Sequence, residues 1–100
     1  AMIRENFKAA LMQDESIEMV VNDLVKNESV DTIVRLPHSS LDPAYAEVIV
    51  HDVIKLQYYQ GDVDAMERDD FHGYGPEISV EKISEDTYTD DYKIIGWVNV

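Results

Sequence analysis

The segment between Asp42-Pro43 and Gln60-Gly61 constrains the fold more than any other part of the chain. Aspartate is a favoured helix N-cap, proline fits the first helical position, and glycine fits just past a helix end. Val48 to Ile54 is mostly β-branched and would also suit a strand, but the two end signals favour a helix. The segment therefore predicts a central, buried helix from Pro43 to Gln60.

Apolar side chains cover a wide part of this helix, which is typical of a helix packed against two layers. The residues that we expect to be buried are Tyr45, Val48, Ile49, Val50, Val53, Ile54, Leu56 and Tyr58.

Two shorter helical patterns lie nearer the N-terminus. Apolar residues recur at helical spacing from Ile3 to Leu11 and again from Ile17 to Asn27. The polar run from Gln13 to Ser16 separates them, and Asp14 or Ser16 could cap the second. One long bent helix is possible, but the polar break favours a pair of helices.

The remaining patterns predict strands. Asp31 to Leu36 is rich in β-branched residues and is followed by Pro37. Apolar and polar residues alternate from Glu77 to Ser84 and from Tyr92 to Val100, which predicts an antiparallel hairpin turning at Glu85–Asp91. The strand around Ile33 could join this hairpin. With no repeat or linker, residues 1–100 are expected to form a single α+β domain with an N-terminal helical pair, a central buried helix and a C-terminal antiparallel β-hairpin.

Charge is the extreme property of the composition. The chain has 8 Lys and Arg residues against 21 Asp and Glu residues, a net charge of −13. Residues 1–60 have ten acids and five bases, whereas residues 61–100 have eleven acids and three bases. Such a charge repels nucleic acid and anionic lipid and attracts basic protein surfaces.

The excess of acids is concentrated in two clusters, which we take as the candidate partner-binding residues. The first consists of Asp62, Asp64, Glu67, Asp69 and Asp70, and the second of Glu85, Asp86, Asp90 and Asp91. Runs of like charge mark either a solvated face or an interaction surface.

The sequence predicts no metal site. Asp62 to Glu67 begins like a calcium loop, but Met66 and Glu67 occupy the places of an oxygen ligand and a glycine. The histidines His38, His51 and His72 show no zinc-site spacing. On a helix, His51 and Asp52 are expected to point in different directions. The chain has no cysteine, which excludes disulfides and thiolate ligands.

No catalytic or cofactor signature is visible either. Ser39 and Ser40 follow His38, but no nucleophile-elbow motif surrounds them, so a turn role suffices. Ser40-Leu41-Asp42 is similar to the Asp-Ser-Leu site of acyl carrier proteins. However, Ser39 stands where that family has aspartate, and the predicted hairpin has no place in an all-helical fold. We therefore expect a protein that is not an enzyme and needs no cofactor.

The leading hypothesis is a non-catalytic acidic protein that covers a basic surface on a protein partner. Spaced carboxylates can imitate phosphates, as in small acidic inhibitors made by phages and mobile elements, or neutralise a toxin as an immunity protein does. The alternative is a structural or regulatory interaction protein whose charge serves only solubility. No segment resembles a membrane span or a signal peptide, so a cytoplasmic location is expected, without direct contact to nucleic acid or membrane.

Overall fold

The computed structural model describes residues 4–61 and 75–99. The elements in chain order are α1 (Arg4–Met12), α2 (Glu15–Asn27), β1 (Ser29–Pro37), α3 (Pro43–Gly61), β2 (Pro76–Glu85) and β3 (Thr89–Val98). The strands form one antiparallel sheet in the order β1-β3-β2. The predicted α+β class is confirmed, with its N-terminal helical pair, central helix and C-terminal hairpin. The strand around Ile33 does join the hairpin.

The helix starts are fixed by the capping residues that the sequence indicated. The Asp14 carboxylate accepts a hydrogen bond from the Ser16 N–H at 2.8 Å and caps α2. The Asp42 carboxylate accepts one from the Ala44 N–H at 3.1 Å at the start of α3. These caps satisfy amide groups that have no partner within the helix. At its other end α3 continues through Gly61 instead of stopping at Gln60.

The core lies between the helices and one face of the sheet. Successive strand residues alternate between the two faces, so one set on each strand points at the helices. The buried apolar residues are Phe7, Leu11, Ile17, Val20, Leu24, Val30, Val34, Leu36, Ala46, Ile49, Val50, Val53, Ile54, Tyr58, Tyr92 and Ile94. On the opposite face of the sheet, Ile33, Ile95 and Trp97 are exposed.

The buried face of α3 differs in part from the expected one. Ile49, Val50, Val53, Ile54 and Tyr58 are buried as expected, and Ala46 joins them. The expectation for Tyr45, Val48 and Leu56 is wrong, because these three side chains are exposed. The helix packs on α1, α2 and β2, and no described element covers its other side.

Gly96 allows close packing where α2 crosses the sheet. A Cβ atom at this position would lie 3.1 Å from the carbonyl oxygen of Glu77. It would also lie 3.4 Å from side-chain carbons of Leu24 and of Val30. A larger residue would therefore force α2 or a neighbouring strand to move.

None of the described helices is both long enough and apolar enough to span a membrane.

Candidate functional site

The second acidic cluster lies around the turn of the hairpin, which is shorter than predicted: Glu85 ends β2, Asp86 lies in the turn, and Asp90 and Asp91 lie in β3. The first cluster, comprising Asp62, Asp64, Glu67, Asp69 and Asp70, lies outside the described residues. The four acids of the second cluster lie close together in sequence, but the fold gives them three different environments.

Asp90 is the buried member of the second cluster. Its side chain is fully buried, and both carboxylate oxygens have partners. One oxygen lies 3.0 Å from His38 Nδ1 and accepts a hydrogen bond from the Asp86 N–H at 3.2 Å. The other accepts from the Ser39 N–H at 3.0 Å and lies 3.2 Å from Lys82 Nζ. The grouping of Asp90 with solvated acids is thus a correction to the sequence interpretation, because this carboxylate anchors the turn from inside.

Lys82 supplies the positive charge in this buried cluster. Its side chain is 4% exposed, and Nζ lies 3.0 Å from a carboxylate oxygen of Glu85 as well as 3.2 Å from Asp90. Lys82 pairs with Tyr92 in the register that starts at Pro76, and a β-bulge between Lys82 and Ser84 then shifts the register so that Glu85 pairs with Asp90. The extra residue puts Lys82 and Glu85 on the same face of the sheet. The bulge therefore makes the Lys82–Glu85 ion pair possible.

The charges in the cluster favour each other's ionised forms. Burial alone would raise the pKa of Asp90, but hydrogen bonds from His38, the Ser39 amide and Lys82 hold it below its ordinary value. Burial would likewise lower the pKa of Lys82, but its bonds to Glu85 and Asp90 raise it. Both groups stay charged at neutral pH, and their charges offset each other.

Tyr92 places an unpaired hydroxyl beside this cluster. The ring is fully buried, and its hydroxyl finds no hydrogen-bond partner among the described residues. Burial raises the pKa of Tyr92, and the negative charges of Asp90, Glu47 and Glu85 raise it further. Glu47, on α3, accepts a hydrogen bond from the Lys82 N–H at 2.8 Å. The Tyr92 hydroxyl therefore stays protonated among these negatively charged carboxylates.

Asp91 faces the opposite side of the sheet from Asp90. Its carboxylate lies 3.0 Å from Arg35 Nε on β1, directly across the strand pair. The hydrogen bond from Arg35 lowers the pKa of Asp91, and the charge of the guanidinium adds to this effect. Part of the negative charge of Asp91 is thus offset within the chain.

Glu85 and Asp86 are exposed, and they closely precede the most exposed aromatic residue among the described ones. Tyr88 is 85% exposed at the turn, next to the exposed Thr87. We call residues 85–88 the hairpin tip. The Asp86 N–H donates to the Thr89 carbonyl oxygen at 2.9 Å, and the Thr87 N–H donates to the Asp86 carboxylate at 2.7 Å. These hydrogen bonds order the backbone of the turn that contains Tyr88.

A polar groove of about 280 Å³ runs beside the hairpin tip. Its lining residues are Arg35, Ser84, Glu85, Asp86, Thr89 and Asp91. Three carboxylates against one guanidinium leave the groove acidic. It is wide enough for the end of a cationic side chain.

His38, Glu85 and Asp90 bring three potential metal ligands within 4.8 Å of one another. The ammonium group of Lys82 already lies between the two carboxylates, at 3.0 and 3.2 Å. A divalent cation there would have to displace a buried ammonium, because the like charges repel. That the protein has no metal site stays a prediction. The ammonium group of Lys82 gives a physical reason to expect it.

The His38–Asp90 pair has the geometry that orients a general base, because a carboxylate contacts one ring nitrogen. In covalent catalysis such a pair activates a neighbouring nucleophile, for example a serine hydroxyl. The hydroxyl oxygen of Ser39 is buried and accepts a hydrogen bond from the Leu41 N–H at 3.1 Å, which is the expected turn role. The absence of catalysis stays a prediction.

Sequence reasoning missed His38 and Lys82 as partners of an acidic residue. One signal was present, since Asp90 falls in the same alternation as Tyr92 and Ile94 on β3. An acid at a core position requires a partner. A smaller error concerns His51, whose Nδ1 lies 3.0 Å from the Asp52 carboxylate although the two were expected to diverge.

No protein-family model, curated protein or solved structure matches the chain, so no family is assigned.

Proposed function

We propose that the protein is a non-catalytic binding protein whose hairpin tip covers a basic surface on a protein partner. The observation that carries this proposal is Tyr88, an aromatic side chain that is 85% exposed beside Glu85 and Asp86. Tyrosine is enriched among the residues that dominate binding energy at protein interfaces. The neighbouring carboxylates select a basic partner.

The buried cluster supports this role by holding the tip in place. Asp90 accepts hydrogen bonds from the Asp86 and Ser39 amides and contacts Lys82, so the tip is tied to the sheet and to the loop after β1. A surface that is already ordered loses less conformational entropy when it binds. We interpret Asp90 as a positioning residue and Glu85, Asp86 and Tyr88 as the contact residues.

The distribution of charge supports the same partner class. Arg35, Lys82 and Lys93 each form an ion pair with an acid of the same chain. These three cations are thus offset by acids of the same chain. The remaining acids, with a net charge of −13 for the chain, give the protein a negative electrostatic field. Such a field speeds association with basic surfaces and slows association with nucleic acid or anionic lipid.

The groove beside the tip suits a lysine or arginine of the partner. Glu85, Asp86 and Asp91 contribute carboxylates to its lining, and Arg35 closes one side. Charge-assisted hydrogen bonds to a cationic side chain are stronger than neutral ones. The tip would thus combine an aromatic contact with an ionic one.

Two partner types share this chemistry. One is a nucleic-acid-binding protein, with the carboxylates imitating phosphates as in inhibitors from phages or mobile elements. The other is a toxin that the chain neutralises as an immunity protein, in the cytoplasm. The alternative function is a structural or regulatory interaction protein whose charge serves only solubility.

The test is affinity capture from a host lysate at 0.05 and 0.5 M salt, followed by binding measurements with the purified captured protein. Tyr88→Ala and the pair Glu85→Gln with Asp86→Asn should each weaken binding at least tenfold. The control removes two exposed acids from α2, with Glu15→Gln and Glu18→Gln, and should change the affinity less than twofold. Equal losses for tip and control variants, or none for either, would favour the solubility alternative.

The pair Asp69→Asn with Asp70→Asn tests the first acidic cluster in the same assay. Competition by double-stranded DNA for the captured protein separates the two partner types. A nucleic-acid mimic is displaced by DNA, whereas an immunity protein bound away from a nucleic-acid site is not.

A further inference from the structure

The free edge of β1 has a charge pattern that is complementary to the same strand of a second copy in antiparallel orientation. Among the described strands, which lie in the order β1-β3-β2, β1 has a hydrogen-bonded neighbour on one side only. The Val98 N–H donates to the Glu28 carbonyl oxygen, and the His38 N–H donates to the Tyr88 carbonyl oxygen. Hydrogen-bonded pairs alternate along an antiparallel ladder. Even-numbered residues of β1 therefore bond to β3, and the backbone groups of Asp31, Ile33 and Arg35 point to the free edge.

These three odd-numbered residues are all exposed. Ile33 is 55% exposed, while the Asp31 and Arg35 side chains are 66% and 71% exposed. Within the described residues, no other strand lies against this edge. An exposed edge strand is a template for pairing with another chain.

We infer that the chain forms a symmetric dimer in which β1 pairs antiparallel with β1 of a second copy, with Ile33 on the two-fold axis. This register places Asp31 opposite Arg35 of the second copy, and Arg35 opposite the second copy's Asp31. If the two-fold axis passed through residue 32 or residue 34 instead, Asp31 or Arg35 would lie opposite the second copy's Ile33. Both ion pairs would then be lost. The inference does not depend on the hairpin tip.

The ion pairs within each chain extend across this interface. Asp31 lies 2.7 Å from Lys93, and Arg35 lies 3.0 Å from Asp91. In the dimer the charges alternate in a row from Lys93 to Asp31, then to Arg35 and Asp91 of the second copy. Opposite charges that face each other across strands stabilise pairing, and like charges oppose it.

Dimerisation joins two three-stranded sheets into one sheet of six strands. The exposed Ile33 residues meet at the axis, and Ile95 and Trp97 extend the apolar surface of the same face. The axis is perpendicular to the sheet, so each α2, which packs on β1, becomes a neighbour of the other. The net charge of −13 on each chain opposes association at long range. That repulsion is screened beyond about 8 Å at physiological salt.

The test uses charge reversal in two separate chains. Asp31→Arg puts like charges opposite each other in the homodimer, and so does Arg35→Asp. Each variant alone should sediment as a monomer at 0.15 M salt and 100 µM chain, where the unchanged protein sediments as a dimer. Mixing the two variants restores both opposite-charge pairs and should give a one-to-one heterodimer. A monomeric unchanged protein, or a mixture that stays monomeric, would overturn the inference.

A second measurement covers the case in which a charge variant fails to fold. The chain has no cysteine, so Ile33→Cys introduces a single thiol. Hydrogen-bonded antiparallel pairs have a Cα separation of about 5.5 Å, which suits a disulfide. Val48→Cys is the matched control, because Val48 on α3 is 57% exposed. Mild oxidation should link the Ile33→Cys chains at least tenfold faster than the control, and equal rates would overturn the inferred axis.

Discussion

The helix-facing side of the sheet is buried in two different ways along β3. Around Ile94 and Gly96 the buried side chains are apolar, whereas around Asp90 they are charged. Apolar burial is non-directional and contributes roughly 25 cal/mol for each Å² removed from water. A buried carboxylate instead depends on each of its partners, because its lost hydration costs several kcal/mol. Apart from Gly96, the apolar part should therefore tolerate exchanges of apolar side chains that conserve volume, whereas the charged part should tolerate no loss of a single member.

The largest expected effect comes from placing an unpaired charge in the apolar part. Val53 is fully buried on α3, so Val53→Asp should cost about 4 kcal/mol or more and prevent stable folding. Val48→Asp is the control, because Val48 lies on the exposed side of the same helix. Thermal unfolding by circular dichroism distinguishes the two. Equal melting temperatures would contradict the described face of α3.

Removing the acid from the charged part should have the next largest effect. Asp90→Ala leaves the buried Lys82 with only the half-exposed Glu85 as an acidic partner and should cost about 3 kcal/mol in urea unfolding. Replacing both groups, with Asp90→Leu and Lys82→Met, should recover most of that loss because no buried charge is left. If the double variant is no more stable than Asp90→Ala, the ion pair is not what Asp90 contributes.

The pH dependence of stability sharpens the same comparison. The pKa of Asp90 is lower in the folded chain than its ordinary value of 3.8, so its ionised form favours folding. Its stabilisation is fully present above about pH 4 and is lost as the pH falls through the lowered folded pKa. The stability gap between the unchanged protein and Asp90→Asn should therefore shrink from pH 5 to pH 2. A constant gap would contradict this account.

The neighbouring acid on the other face should matter much less. Asp91 pairs with Arg35, whose side chain is mostly exposed, and exposed ion pairs contribute little to stability. Asp91→Asn should lower the melting temperature by about 2 °C or less. A loss as large as that of Asp90→Ala would mean that burial is not what separates these two acids.

The smallest expected effect is that of added metal. Because the ammonium of Lys82 lies between the carboxylates of Glu85 and Asp90, micromolar zinc, calcium or magnesium should move the melting temperature by less than about 1 °C. Lys82→Met is the informative variant, since it removes the competing charge while leaving His38, Glu85 and Asp90 in place. Strong stabilisation of the unchanged protein by zinc would show that the cluster binds metal despite the ammonium.

Much of the architecture follows from local signals in the sequence. Asp14, Asp42 and Pro43 mark helix starts by their own side-chain chemistry, and alternation along β3 fixes which residues face the core. These signals act over a few residues, so they can be read without knowing the fold. The same reading placed Tyr45, Val48 and Leu56 on the buried side of α3. Apolar composition alone does not say how many layers cover a helix.

The environment of each acid in the second cluster was decided only by the tertiary structure. Composition determined that the chain is strongly acidic, but the sequence interpretation put Asp90 and Asp91 in the turn, and only the structure places them in β3, on opposite faces of the sheet. The partners of Asp90 come from distant positions, with His38 lying 52 residues away in the chain. Lys82 meets Asp90 because β2 pairs with β3 so that Lys82 lies opposite Tyr92, and a β-bulge that no sequence motif indicated then brings Glu85 to the same face. A buried charge is stabilised by neighbours that only chain folding brings together, and a sequence read along one strand cannot supply them.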